Sequence, residues 1–263
     1  MRKESGQVLL IAGVVTFAML VLGACSTTPR TNLVTAARSS DCVILLHGLN
    51  RSYRAMSKLA AGLQDAGFTT ANVDYPSQTA SIEELAPMAV NEGLDKCREA
   101  NAEQIHFVTH SIGGILLRYV HDMSPIPDLG RVVMLAPPNH GSEIVDVTRE
   151  WPTFELFSGE AGLQLGTDED SIPSQLGPVD FELGIIAGTG TINPILSAIL
   201  PQPNDGKVSV ESTKVAGMND FLLVDNSHRY IVSSDVVIEN TIAFFRTGRF
   251  LESSDPAGLA LVP

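Results

Sequence analysis

Apolar residues fall in two spacings along the chain, and the two take turns. Short unbroken runs such as Val43-Ile44-Leu45-Leu46 suit a strand of a parallel sheet, covered on both faces. Longer stretches carry apolar positions every three or four residues, the spacing of a helix with one buried side. On this basis residues 43–46 predict a strand, and residues 56–66 a helix ending at Gly67. Residues 69–75 predict a strand stopped by Pro76. Residues 81–100 predict a helix with Ile82, Leu85, Met88, Ala89 and Val90 on one face. A strand at 105–109 leads into a helix at 112–123, and further strands follow at 131–136, ending at Pro137-Pro138, and at 183–187. Residues 214–224 are less regular, with a strand core at 213–216, and residues 234–245 close the pattern as a helix. This alternation predicts an α/β fold with a mainly parallel central sheet, and right-handed crossovers put helices on both of its faces.

Two stretches break the rhythm. Residues 145–182 hold Trp151, Phe154, Leu156 and Phe157 among glycines and acids, without a long element. The stretch is an insertion above the sheet edge, serving as a lid or pocket wall, or an ordinary surface excursion. Residues 25–40 are rich in Ser, Thr, Arg and Asn and predict a flexible tether. The domain proper then spans 41–251, with a tail at 252–263.

The start of the chain has its own pattern. Arg2 and Lys3 precede an apolar run at 8–22, followed by Leu22-Gly23-Ala24-Cys25. Basic residues, an apolar run and small residues in that order form an export signal. The last four resemble a bacterial lipobox. The resemblance implies that residues 1–24 are a signal peptide and that Cys25 is lipidated; an uncleaved transmembrane anchor is the alternative, for which the run is short. Ser26, where an Asp would retain a Gram-negative lipoprotein at the inner membrane, implies the periplasmic face of the outer membrane.

The net charge of −13 changes the choice of partners. It repels phosphate backbones, which argues against nucleic acid, and it gives no pull toward anionic lipid, so membrane attachment has to be apolar. Of three cysteines, Cys42 and Cys97 remain once Cys25 carries lipid. Export makes a bridge between them chemically possible, tying a helix to the sheet; two separate buried thiols are the other reading.

The chemistry centres on Thr109-His110-Ser111-Ile112-Gly113-Gly114, where a buried strand runs into a serine and then a helix. This is the setting of a nucleophile elbow, whose tight turn demands small neighbours and lifts the hydroxyl above the sheet edge. Thr109 stands where the usual pattern has its first glycine. A second signal is the strand at 43–46 followed by His47-Gly48-Leu49-Asn50. Gly48 allows close approach of backbone to substrate, and His47 reads as a structural histidine. A serine nucleophile needs a base, and the base an orienting acid. Of the six histidines, His228 lies after the late strand, and His140 is the runner-up. For the acid, Asp205 stands in Asn204-Asp205-Gly206, with Asp220 and Asp225 as alternatives.

Together these pieces resemble the lipases and esterases of the α/β-hydrolase superfamily, over residues 41–251. The run at 109–114 resembles the elbow of lipases and of inositol-deacylase-like or palmitoyl-thioesterase-like hydrolases. Residues 136–142 and 204–209 resemble motifs of a bacterial branch. The resemblance implies the chain order Ser111, Asp205, His228, an oxyanion hole from the N–H groups of Leu49 and Ile112, and a serine esterase that acts through an acyl-enzyme without metal or cofactor. The substrate implied is an acyl ester, lipid esters included. Acyl transfer to an acceptor other than water, thioester cleavage, or an inactive binding module on the same fold remain as alternatives.

Overall fold

The computed structural model describes residues 28–36, 40–151 and 153–251. The lipobox with Cys25 and the tail at 252–263 lie outside the described residues. Seven strands form one sheet: β1 (Arg30–Val34), β2 (Asp41–Leu46), β3 (Thr69–Asp74), β4 (Gln104–His110), β5 (Leu129–Leu135), β6 (Leu183–Gly188) and β7 (Asp220–Val224). Their order across the sheet is β1-β3-β2-β4-β5-β6-β7. β1 pairs antiparallel with β3, and every other pairing is parallel. The helices are α1 (Ser57–Asp65), α2 (Ile82–Glu99), α3 (Ile112–Met123), α4 (Glu143–Thr148), α5 (Phe154–Leu163), α6 (Ile172–Gln175), α7 (Pro194–Ser197), α8 (Val210–Thr213) and α9 (Asp235–Thr247).

The unbroken apolar runs have the cause assigned to them. Side chains alternate across a strand, so each run feeds two cores. Ile44, Leu46, Phe107, Val132 and Met134 join the core that contains the inner faces of α2 and α3. Val43, Leu45, Val108, Val133 and Leu135 join the opposite core with α1 and α9. Each of these strand residues is fully buried, which stabilises the fold by about 1.5–3 kcal/mol per side chain. A disulfide joins Cys42 in β2 to Cys97 in α2, with Cα atoms 5.6 Å apart. It fastens the helix to the amino-terminal ends of the strands.

Two elements differ from the sequence expectation. The stretch expected to be a tether contains β1, whose residues alternate between exposed and half-buried. An edge strand covered on one side can keep a polar composition, and that is why it escaped notice. The late strand is β7 at Asp220–Val224 rather than at 213–216. Residues 210–213 instead form α8, a single turn capped when the Ser209 hydroxyl accepts from the Ser212 N–H. The stretch after β5 holds no long element, as its pattern implied, and folds as three short helices, of which α5 is kinked at Gly159 (φ 64°, ψ −177°). None is long enough to show a helical period.

Candidate active site

Parallel strands present all their carboxyl ends at one edge, and the predicted residues gather there. β4 ends at His110, α3 starts at Ile112, and Ser111 makes the whole turn between them. Its backbone sits at φ 55°, ψ −126°, a conformation that costs a non-glycine residue about 1–3 kcal/mol. Packing on both sides holds it. The Ser111 N–H donates to Leu135 O at 2.9 Å, and α3 lies so close to β2 that a Cβ on Gly113 would stand 2.8 Å from Leu46 O. Thr109 fits because it stays in the strand, fully buried, with its hydroxyl 3.3 Å from where a Gly114 Cβ would be.

The turn after β2 closes against this elbow. A Cβ on Gly48 would lie 2.7 Å from His110 Nδ1 and 3.3 Å from Ser111 Cβ, so only glycine brings the backbone this near. His47 braces the turn. Its ring stacks on Tyr75 with centroids 4.1 Å apart. The Tyr75 N–H donates to His47 Nε2 at 3.3 Å, so Nδ1 carries the proton and donates to Gly48 O at 2.9 Å. Burial pushes this imidazole below its ordinary pKa, and it remains a neutral structural group, as read from the sequence. Leu49 lines the same cavity as Ser111, and its N–H has no backbone acceptor among the described residues. Ile112 is the first residue of α3, so helix geometry leaves its N–H free. The positive end of the α3 dipole faces the same point.

Asp205 and His228 come from the other half of the sheet. Asp205 is 2 % exposed and sits in a turn tied down on every side. The Asn204 side chain accepts from Ser197 Oγ at 2.8 Å and from the Gly206 N–H at 2.9 Å. Asp205 Oδ1 accepts from the N–H groups of Lys207 and Val208, at 2.9 and 2.8 Å. Its Oδ2 lies 2.7 Å from His228 Nδ1, and the His228 N–H donates to Asp205 O at 3.0 Å. The carboxylate accepts and cannot donate, so the ring proton sits on Nδ1 and leaves Nε2 as the basic nitrogen. Ser111 and His228 line one cavity.

The alternatives fall elsewhere. Asp220 accepts from the N–H groups of Phe221 and Phe250 at the amino end of β7, away from the site. Asp225 is exposed. His140 does not line the Ser111 cavity; its N–H donates to Ser212 O.

Several site residues escaped the sequence reading. His110 Nε2 donates to His228 O at 2.9 Å and so links the turn at Ser111 to the loop that carries His228. Burial, and then the nearby His228 ring, hold His110 well below its ordinary pKa. Ser142, in the turn after β5, donates from Oγ to Lys207 O at 2.7 Å and braces the Asp205 turn. Outside the Ser111 cavity, buried Arg118 donates to Asn139 O and Oδ1 and to the carbonyls of Leu176 and Gly177. The excursion after β5 supplies Ile144, Val145, Phe154 and Leu165 to the cavity lining, so part of it is a pocket wall. Arg51, Lys207 and Arg229 also line it. The pocket wall on this excursion was one of the readings of the sequence, whereas no local pattern marks the three cations, which come from loops far apart in sequence.

No protein-family model matches the sequence, and no curated protein does. Solved structures do. A Bacillus licheniformis lipase in mature form is similar at 16% identity with a TM-score of 0.64, over 85% of this chain and 99% of that one. A Paleococcus ferrophilus monoacylglycerol lipase gives 16% and 0.55, over 83% and 99%. A Legionella pneumophila phospholipase gives 17% and 0.51, over 66% of this chain and 45% of the other. With the parallel sheet, the turn at Ser111 and helices on both faces, these likenesses establish that the chain has the α/β-hydrolase fold.

Proposed function

We propose that the protein is a serine hydrolase that cleaves carboxylic esters through an acyl-enzyme. Ser111 Oγ attacks the acyl carbon while His228 Nε2 takes its proton. Asp205 keeps the imidazole in the required tautomer and stabilises the imidazolium. The N–H groups of Leu49 and Ile112 receive the oxyanion, each contributing about 3 kcal/mol in the transition state. His228 then returns the proton to the departing alcohol, and water releases the acid by the same steps in reverse roles.

The observation that carries this reading is the pairing of a strained serine turn with an imidazole fixed by a buried carboxylate, both opening on one cavity. Apolar wall residues such as Val145, Phe154 and Leu165 suit an acyl chain. The solved neighbours named as a lipase, a monoacylglycerol lipase and a phospholipase support an ester or lipid ester as substrate. The test is hydrolysis of p-nitrophenyl acyl esters. Ser111→Ala should lower kcat by about 10⁴-fold or more, and an unchanged rate in pure protein would end the reading.

For location, we propose a lipid anchor on Cys25 that holds the domain at the periplasmic face of an outer membrane. The lipobox-like Leu22-Gly23-Ala24-Cys25 supports it. Labelled fatty acid should enter the wild-type chain and not Cys25→Ala.

A further inference from the structure

The charge of the cavity runs against that of the chain. Acidic residues outnumber basic ones 30 to 17 over the whole sequence. Around the cavity that holds Ser111 the order is reversed: Arg51, Lys207 and Arg229 line it, and no aspartate or glutamate does. None of the three is ion-paired to a carboxylate among the described residues. Arg229 only stands 5.9 Å from the ring of its neighbour Tyr230. They also feel one another. Burial and then the Arg229 charge hold Arg51 below its ordinary range; burial and then the Arg51 charge do the same to Lys207, against the opposing pull of the Asp205 carboxylate. The three cations outnumber the one nearby carboxylate, Asp205, which His228 already engages, so they repel on balance and an arriving anion relieves that repulsion.

Their places in the fold make the cluster part of the site. Arg51 follows the Leu49 turn, Lys207 gives its N–H to the Asp205 carboxylate, and Arg229 adjoins His228. Much of the apolar lining comes from another stretch, through Ile144, Val145, Phe154 and Leu165. The cavity therefore has an apolar wall on the excursion after β5 and cations on the loops that carry the reacting groups.

Resting on the ester-hydrolase reading above, we propose that the preferred substrate is an acyl ester whose alcohol part carries a phosphate. The acyl chain lies on the apolar wall and the phosphate meets Arg51, Lys207 and Arg229. Two guanidinium groups offer planar, two-pronged donors that match phosphate oxygens, and the ammonium adds a point charge. The phosphate takes no part in the bond changes. The acyl C–O bond breaks, the Ser111 Oγ–acyl bond forms, and the phosphorylated alcohol leaves with the proton from His228; water then gives the free acid.

The experiment compares 1-decanoylglycerol 3-phosphate with 1-decanoylglycerol, both below their aggregation concentrations and at low salt. The readout is the ratio of their kcat/KM values, which cancels changes common to both substrates. The wild type should prefer the phosphate ester by about tenfold or more. The ratio should fall toward one in Arg51→Gln/Lys207→Gln/Arg229→Gln. It should also fall in the wild type at about 1 M salt, where the screening length is about 3 Å; this second measurement needs no variant to fold. A wild-type ratio near one, or a preference that survives the triple substitution, would overturn the proposal. Inertness of the wild type toward both esters would instead bring down the hydrolase reading, and this inference with it.

Discussion

On one side of the cavity, Ser111 and the Leu49 turn are held by backbone: a strand end, a helix start and glycines that let chain press on chain. On the other side, Asp205 and His228 ride on loops past β6 and β7 fixed by side-chain hydrogen bonds, accepted by Asn204 and Asp205 and donated by Ser142. The first half rests on close approaches of backbone, Gly113 against Leu46 and Gly48 against His110. The second rests on side-chain hydrogen bonds, some within the Asp205 turn and others that join it to Ser142 and His228. Damage to the first half should therefore disturb stability and rate together, whereas the second half permits loss of chemistry in an intact fold.

The sharpest separation is expected from Asp205→Asn. Its amide can still accept from the Lys207 and Val208 N–H groups through one oxygen, but it turns an NH₂ toward His228 Nδ1, which then favours the wrong tautomer. kcat should fall by about 10³–10⁴-fold while the circular dichroism spectrum and melting midpoint stay close to wild type. A melting point that collapsed along with the rate would erase the distinction between the halves.

Removing the Cys42–Cys97 bridge should do the opposite. The bridge closes a loop with a sequence separation of 55 residues, and its loss should lower stability by about 4 kcal/mol in urea unfolding. It lies at the amino ends of the strands, so kcat below the new melting point should change less than about twofold.

Gly113→Ala tests the backbone half. The new methyl would meet Leu46 O at 2.8 Å, so α3 must shift, at a cost of about 1–3 kcal/mol. Because α3 carries the Ile112 N–H, kcat should drop about tenfold with it.

The smallest effect concerns His110, which joins the two halves. Its folded-state pKa lies well below the ordinary value of 6.5 because it is buried. As pH falls through about 6.5 the unfolded chain takes up a proton there and the folded protein does not. Stability is then full above that pH and declines below it, by up to about 1.4 kcal/mol per pH unit from this one group. His110→Gln should flatten that decline in urea midpoints measured between about pH 7 and pH 5. An equal slope in both proteins would remove His110 from the account.

The contrast between the halves also explains how much could be read from the sequence. Ser111, its strand and its helix were legible because consecutive residues dictate the turn. β2, β6 and the end of β5 were legible because strands buried on both faces are apolar runs, whereas β3 and β4 carry buried Thr70, Asn72, His106 and Thr109 and were legible from the alternation with helices around them. β1 was hidden by its half-exposed edge position, and α8 by being a single turn that blurred the approach to β7. Asp205 and His228 were reached through chain order and resemblance rather than by any local pattern. The Ser142 brace, the His110 link and the Arg51, Lys207 and Arg229 cluster depend on contacts between distant loops, which no spacing along the chain encodes.

The central claim, that Ser111 is a nucleophile driven by the Asp205–His228 pair, is tested most directly by reacting the pure protein with a fluorophosphonate and mapping the adduct by mass spectrometry. The account predicts a single adduct, on Ser111, forming about 10³-fold more slowly or worse in His228→Ala. An adduct on another residue, no adduct, or a rate indifferent to His228 would contradict it.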